Sequence, residues 1–282
     1  MAAIESNTKS SLHIRSNSLP SASHPFVSQF EEHLNRLKSS ESTSSVSIKL
    51  NGLQDLYDCT DKLLQLSIAK QAFARECGDK LVDELLDGSL RLLDTCGVAK
   101  DCLLQSKESM HELQSIIRRR RGAETELTVE AGKYLASRKN TKKAIRKALG
   151  SLKGMKNEIT VSSDILSMLK EAEAVTMSTL ESLMYFISDP KGKSKQTKWS
   201  VISKLMQPKR VASDTEESDT NEFEKVDEDL KSLMSHKPTS TENFQSHLEN
   251  LEMCIEDLEV EIECLSRKLI KTRVSLLNIF SH

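Results

Sequence analysis

The chain has 282 residues, and its 40 Lys and Arg against 42 Asp and Glu give a formal net charge of −2. Only five prolines and nine glycines are present, and no proline lies between Pro25 and Pro190. β-sheet and α/β domains need turn residues at intervals of roughly ten positions, so this composition argues against both classes. Because proline is the strongest helix breaker, the long proline-free tract predicts an all-α protein.

The first 45 residues are rich in serine. Such segments bury too little apolar surface to offset the entropy of ordering, so 1–23 and 39–45 are predicted to be disordered. Between them, Phe26, Phe30, Leu34 and Leu37 recur at intervals of three or four residues. This spacing predicts one short amphipathic helix at 26–38, starting after Pro25.

The N-terminal tail contains the motif RSNSLP at 15–20. An arginine three residues before Ser18 suits basophilic kinases. A phosphoserine followed two residues later by proline resembles a 14-3-3 ligand, which is read by an arginine cluster. Ser18 is therefore a candidate phosphosite and a candidate site of phospho-dependent 14-3-3 binding. The alternative is a chance match within a serine-rich tail.

Helical periodicity begins near Val46 and continues to about residue 189. Breaks are predicted near the glycines at 78, 122 and 150, and Gly88 and Gly97 are weak points because glycine disfavours helix. The tract therefore predicts a bundle of antiparallel helices at 46–189. Residues 190–240 differ, since 191–210 is basic and 213–230 is acidic. They are predicted to form a charged linker with short helical pieces, such as 199–206.

The last segment, 241–282, carries the clearest local pattern. Its apolar residues alternate in spacing between three and four, which keeps them on one seam of a long helix. The predicted packing seam consists of Leu251, Ile255, Leu258, Ile262, Leu265, Leu269 and Leu276. Docking on the bundle is the preferred interpretation, and pairing with another chain is the alternative. Val274, Leu277 and Phe280 widen the apolar face, which favours docking on the bundle.

The segment 118–156 is a strongly basic helical stretch. A candidate basic binding face lies on it, formed by Lys139, Lys142, Lys143, Arg146 and Lys147. Three interpretations remain open. The face is a solvated surface that pairs with the acidic linker, or it binds anionic lipid headgroups. The third is contact with nucleic acid or nuclear import. Only Tyr134 supplies an aromatic side chain for stacking on bases.

Signatures of enzymes are missing from the sequence. It has no phosphate loop, no nucleophile elbow, no dinucleotide-binding glycine motif and no HExxH motif. The seven histidines are scattered, and none stands with a cysteine or second histidine at metal-ligand spacing. We therefore expect no catalytic, cofactor-binding or metal-binding residues. The protein is expected to be non-enzymatic.

Six cysteines occur without a CxxC pair, and the first 30 residues hold no apolar run typical of a secretory signal. These features predict reduced, buried thiols in an intracellular protein. The cytoplasm is the preferred compartment. Nucleus and plastid stay open, since the basic stretch fits nuclear import and the serine-rich, acid-poor N-terminus fits a transit peptide.

Several stretches together resemble a plant-specific family that includes the BYPASS-type proteins and was long catalogued as a domain of unknown function. They are RSNSLP at 15–20 followed by His24 and Pro25, LQDLYDC at 53–59, VDELLDGSLRLLDTCG at 82–97, LQSIIRRRRG at 113–122, YLASRKNTKKAIRK at 134–147 and the stretch 262–280. The chain departs from the family at Ser67, where proline is frequent, and at Ser266, where an aromatic is frequent.

The resemblance implies a helical plant protein tied to root and shoot development, and it brings no catalytic residues. We therefore predict a non-enzymatic developmental regulator or adaptor that acts through protein contacts. The alternative is a membrane-surface or nucleic-acid-binding factor that acts through the basic stretch 118–156. Protein partners are not identified by the sequence, and self-association is left open.

Overall fold

The structure is a computed structural model that describes residues 24–39, 45–76, 78–119, 124–153, 164–188, 220–235 and 241–281. Within these ranges the fold is all-α. The helices are α1 (Pro25–Ser39), α2 (Val46–Gln65), α3 (Ser67–Glu76), α4 (Asp79–Arg118), α5 (Glu124–Lys153), α6 (Asp164–Ser188), α7 (Glu222–Met234) and α8 (Thr241–Phe280). The predicted phosphosite Ser18, the tail 1–23 and the predicted short helix 199–206 lie outside the described residues.

Helix α4 runs through both predicted weak points, Gly88 and Gly97, without a break. The presence of glycine at position 88 has a structural explanation, because a Cβ atom there would overlap the Glu173 carboxylate of α6. The same carboxylate accepts a hydrogen bond at 3.0 Å from Arg91, one turn further along α4. The missing side chain therefore lets α4 and α6 approach closely, and tertiary packing outweighs the low helix propensity of glycine.

Two side-chain hydrogen bonds fix the register of α5 against α4. Ser109 donates to Ser137 at 2.9 Å, and Thr141 donates to Gln105 at 3.2 Å. Residue numbers fall along α4 as they rise along α5, so the two helices are antiparallel. Helix α6 also packs along α4. There the Lys170 ammonium of α6 forms an ion pair with the Glu84 carboxylate of α4 at 3.1 Å.

Helix α8 packs between α2 and α4 of its own chain. Its predicted packing seam is buried, with each of the seven residues at most 4% exposed. Its polar flanks pair with both neighbours: Cys264 donates to Gln54 of α2 and Lys271 pairs with Asp61. On the other flank, Lys107 of α4 pairs with Glu259 at 2.9 Å, and His111 with Glu252 at 3.1 Å. The numbering shows that α8 runs parallel to α2 and antiparallel to α4.

The wider apolar face at the end of α8 does not all contact the bundle. Val274 remains 49% exposed and Leu277 41% exposed. Val274 lies nearly opposite the seam residue Leu276 on the helix, and Leu277 lies about a quarter of a turn round from it. The third residue of this face, Phe280, packs edge-on against Phe73 of α3 with ring centroids 5.4 Å apart. The expectation that this face contacts the bundle therefore holds for Phe280 and not for Val274 and Leu277.

Part of the predicted charged linker is a packed helix. Phe223, Val226 and Leu230 of α7 are buried, and their spacing of three and four places them on one face. Phe223 packs edge-on against Phe186 of α6, with ring centroids 5.9 Å apart. Asn221 caps α7 by accepting from the Glu224 amide at 2.9 Å. The interpretation of 190–240 as linker thus fails for α7, because three apolar residues among the acids suffice to bury one face.

Candidate interaction surface

Helix α5 turns one side to the core and the other to solvent. Tyr134, Ile145 and Leu149 are buried on the inner side. The outer side exposes four of the five predicted basic residues, which we call the basic surface: Lys139, Lys143, Arg146 and Lys147. Within the described ranges, none of the four takes part in an ion pair. The basic surface therefore presents cations that no described residue neutralises by direct contact.

Lys142, the fifth predicted member, has a different role. Its side chain is 30% exposed, and its Nζ donates to Asp227 Oδ2 of α7 at 3.0 Å. The predicted pairing of basic and acidic segments therefore occurs at this residue. Asp227 belongs to the acidic stretch 213–230, and it takes up Lys142 rather than the outward-facing cations.

Arg138 lies directly behind the basic surface and is almost completely buried. Its Nε donates to Asp227 Oδ1 at 3.1 Å, and its Nη2 donates to the Ile187 carbonyl at 2.8 Å. The guanidinium also lies 4.7 Å from the centre of the Phe223 ring, within the range of a cation–π contact. One side chain thus joins α5, α6 and α7 and holds α5 in place.

The sequence analysis did not single out Arg138. It lies in the same basic run as the exposed residues, and only its distance of four positions from the buried Tyr134 indicates an inward direction. Burial raises the pKa of Tyr134 well above its ordinary value, while the positive charge of Arg138 works in the opposite direction. The phenol therefore stays protonated at neutral pH.

A second charged feature, which the sequence analysis also missed, runs along the outer side of α4. Exposed positions recur there at intervals of four and three residues, and most of them are acidic. This acidic stripe consists of Asp83, Asp87, Asp94, Asp101 and Glu108, with the exposed Leu90 and Leu104 between them. The acidic residues already recur at helical spacing in the sequence, on the side of the helix opposite the buried leucines. Only the burial pattern shows that the leucine side faces the core and the acidic side faces solvent.

The buried cysteines that the structure describes show no sign of activation. Cys59, Cys96 and Cys102 are buried, and the five cysteines that the structure describes are unpaired. Burial raises the pKa of Cys96 and of Cys102 to about 11, so both are thiols at neutral pH rather than nucleophilic thiolates. Across the described ranges, no group of His, Cys, Asp and Glu is arranged to hold a metal ion.

None of the helices in the described part of the chain is both long and apolar enough to cross a membrane.

A family model described as Protein BPS1 matches residues 49–279, which is most of the chain and runs from the first turn of α2 to the last turn of α8. No curated protein and no solved structure matches significantly. The chain belongs to the BPS1 family, as the resemblance to BYPASS-type proteins implied.

Proposed function

We propose that this protein is a non-enzymatic adaptor in plant development, which acts by binding other proteins. Family membership points to a plant developmental regulator whose biochemical activity is not defined. The observation that carries the adaptor role is the basic surface on α5: four exposed cations on one helix, without a partner in the described part of the chain. The cytoplasm is the compartment proposed, because unpaired buried thiols suit a reducing environment.

The basic surface is suited to binding because buried contacts on its inner side tie α5 to α6 and α7. Arg138 anchors the helix from behind through Asp227 and the Ile187 carbonyl. A rigid surface loses little conformational entropy when a partner binds, so more of the interaction energy appears as affinity. An acidic segment of another protein is the chemistry that fits the four cations.

A membrane surface or nucleic acid is the second candidate, and the same four cations favour it. Both are extended polyanions, and when bound to this protein each would contact more than one of its helices. The acidic stripe on α4, the helix beside α5, would repel such a ligand where it extends beyond the basic surface. A protein partner can match both signs of charge, and the arrangement therefore supports protein contacts over polyanion binding.

Charge reversal tests the proposal directly. The triple variant Lys139→Glu, Lys143→Glu, Arg146→Glu is compared with Lys70→Glu, Arg75→Glu, Lys80→Glu, which makes the same charge change at exposed positions on α3 and α4. After affinity purification from plant tissue, we expect partners of the unmodified protein to be lost from the first variant and kept by the second. Equal recovery by both would show that the basic surface is only solvated.

The same two variants separate the second candidate from the first. Purified proteins are mixed with anionic lipid vesicles and, separately, with single- and double-stranded nucleic acid at physiological salt. If the unmodified protein and the control variant bind and the α5 variant does not, the polyanion function replaces the adaptor function. Binding that is weak and equal for all three supports the adaptor.

The motif at Ser18 lies outside the described residues, and phospho-dependent 14-3-3 binding stays a prediction. A Ser18→Ala variant that keeps every phospho-dependent partner would remove it.

A further inference from the structure

The acidic stripe and the basic surface lie on neighbouring antiparallel helices and on the same outer side of the bundle. The core lies on the opposite side of this pair, against Leu92 and Leu103 of α4 and Ile145 of α5. One face of the molecule therefore shows an acidic half and a basic half side by side. None of the acidic-stripe residues or the basic-surface residues forms an ion pair within the described ranges.

The register between the two helices sets which charges share a level. Ser109 lies beside Ser137, and Gln105 beside Thr141. Four residues further along, Asp101 of α4 is level with Ile145 of α5, and so between Lys143 and Lys147. In the same register, Glu108 is level with Lys139 to within one residue. Acidic and basic positions therefore occur at matching heights along the face.

We infer that this α4–α5 face binds a second copy of the same chain. A two-fold axis parallel to the helices places α4 of each copy over α5 of the other. Each residue keeps its position along the helix axis under this rotation. Asp101 of one copy then faces Lys143 and Lys147 of the second, and the reciprocal contact repeats the match, as an isologous interface requires. The inference deepens the proposed function and rests on it in one respect, that the basic surface is a binding surface.

Charge excludes the other simple two-fold arrangement. An axis perpendicular to the helices and within the interface would place α4 over α4 and the acidic stripe over itself. Like charges held opposite each other in an interface repel and disfavour that pairing, whereas opposite charges steer association. The distribution of charge on the face thus selects one pairing of helices.

The size of the face is adequate for a reversible dimer. The matched charges at 101–108 and 139–147 span about 12 Å of helix at about 1.5 Å per residue. They lie within the longer stretch over which α4 and α5 run side by side, 93–118 against 128–153, which spans about 37 Å, and two adjacent helices are about 20 Å wide. About 600 Å² per copy, or about 1,200 Å² in total, lies at the lower end of specific interfaces. The half-exposed Leu104 adds apolar area within the stripe. A small and mostly polar interface predicts a dimer that salt weakens strongly.

The test measures self-association of the purified full chain by sedimentation, with no partner present. We expect a dimer at about 50 mM salt that dissociates at about 500 mM salt, where exposed charges are screened over a few ångströms. The variant Asp101→Lys, Glu108→Lys is expected to raise the dissociation constant of the dimer at least tenfold. The control Glu31→Lys, Glu32→Lys, at exposed positions of α1, is expected to leave it unchanged.

Mixing provides the decisive measurement. The α4 variant and the complementary variant Lys139→Glu, Lys143→Glu, Lys147→Glu are each expected to be monomeric, and an equal mixture is expected to form a heterodimer, since every matched contact then joins opposite charges. Three results would overturn the inference: a monomer at low salt and tens of micromolar protein, an α4 variant that dimerises like the control, or a mixture that stays monomeric.

These outcomes are distinct from failure of the proposed function. A chain that is monomeric in every condition, but whose plant partners still depend on the basic surface, loses the dimer and keeps the adaptor. A chain that dimerises as described, but whose partner recovery does not change on charge reversal, keeps the dimer and loses the adaptor.

Discussion

At the scale of single residues, Arg138 and Asp227 form the most buried ion pair among the described residues, with side chains 3% and 4% exposed. Desolvation of two charges is costly, so such a pair adds little net stability, but removal of one member leaves the other charge buried without compensation. The cation–π contact with Phe223 and the bond to the Ile187 carbonyl then hold a guanidinium that has lost its counter-charge.

Substitution Asp227→Asn is therefore expected to lower the free energy of unfolding by about 3 kcal/mol. The matched change Lys142→Met removes the other cation on the same carboxylate, but that side chain is 30% exposed, and we expect a loss below about 1 kcal/mol. Urea unfolding followed by circular dichroism measures both. Equal losses for the two variants would mean that Arg138 is not the residue that depends on Asp227.

At the scale of elements, the apolar seam of α8 contains one polar position. The seam residues are apolar and buried, while Thr272 continues their register as a polar residue. Thr272 is 7% exposed, and its hydroxyl has no hydrogen-bond partner among the described residues. A buried hydroxyl without a partner costs its desolvation, which mutational data place at about 1–3 kcal/mol.

Replacement Thr272→Val removes this hydroxyl at nearly constant volume, and we expect the free energy of unfolding to rise by about 1 kcal/mol. The reverse exchange on the same helix, Val260→Thr at a position 71% exposed, should change it by less than about 0.5 kcal/mol. Thermal or urea unfolding gives both values. A destabilised Thr272→Val protein would show that the hydroxyl is hydrogen-bonded, for example to a buried water.

At the scale of the whole molecule, α8 completes the core that α2 and α4 begin. It is far from both in sequence, yet its seam residues pack against them over most of its length. The flanking ion pairs, such as Lys100 with Glu263, are largely exposed and contribute little each. Burial of the seam is therefore the main source of the stability that α8 adds.

A chain that ends at residue 240 is expected to lose cooperative thermal unfolding, because the apolar faces of α2 and α4 against α8 become exposed to water. Calorimetry and binding of a hydrophobic dye measure the loss. Addition of a peptide covering 241–282 is expected to restore the transition. A shortened chain that unfolds with an unchanged midpoint would show that α8 is dispensable for the core.

The sequence determined the helical class, the short helix after Pro25 and the seam of α8, because helix periodicity is local and is set by spacing along the chain. The family also followed from motifs distributed along the chain, and the family match at 49–279 confirmed it. These features need no knowledge of which helices are neighbours.

Only the tertiary structure decided the roles of individual charges. Lys142 and Lys143 are adjacent in one basic run, yet one pairs with Asp227 and the other faces solvent. Gly88 weakens a helix in isolation but permits the approach of Glu173. Asp227 contacts Arg138 only in the folded protein, where α7 packs against α5. Contacts between residues distant in sequence depend on how helices pack, and for that reason spacing along the chain did not reveal Arg138, α7 or the charged face of α4 and α5.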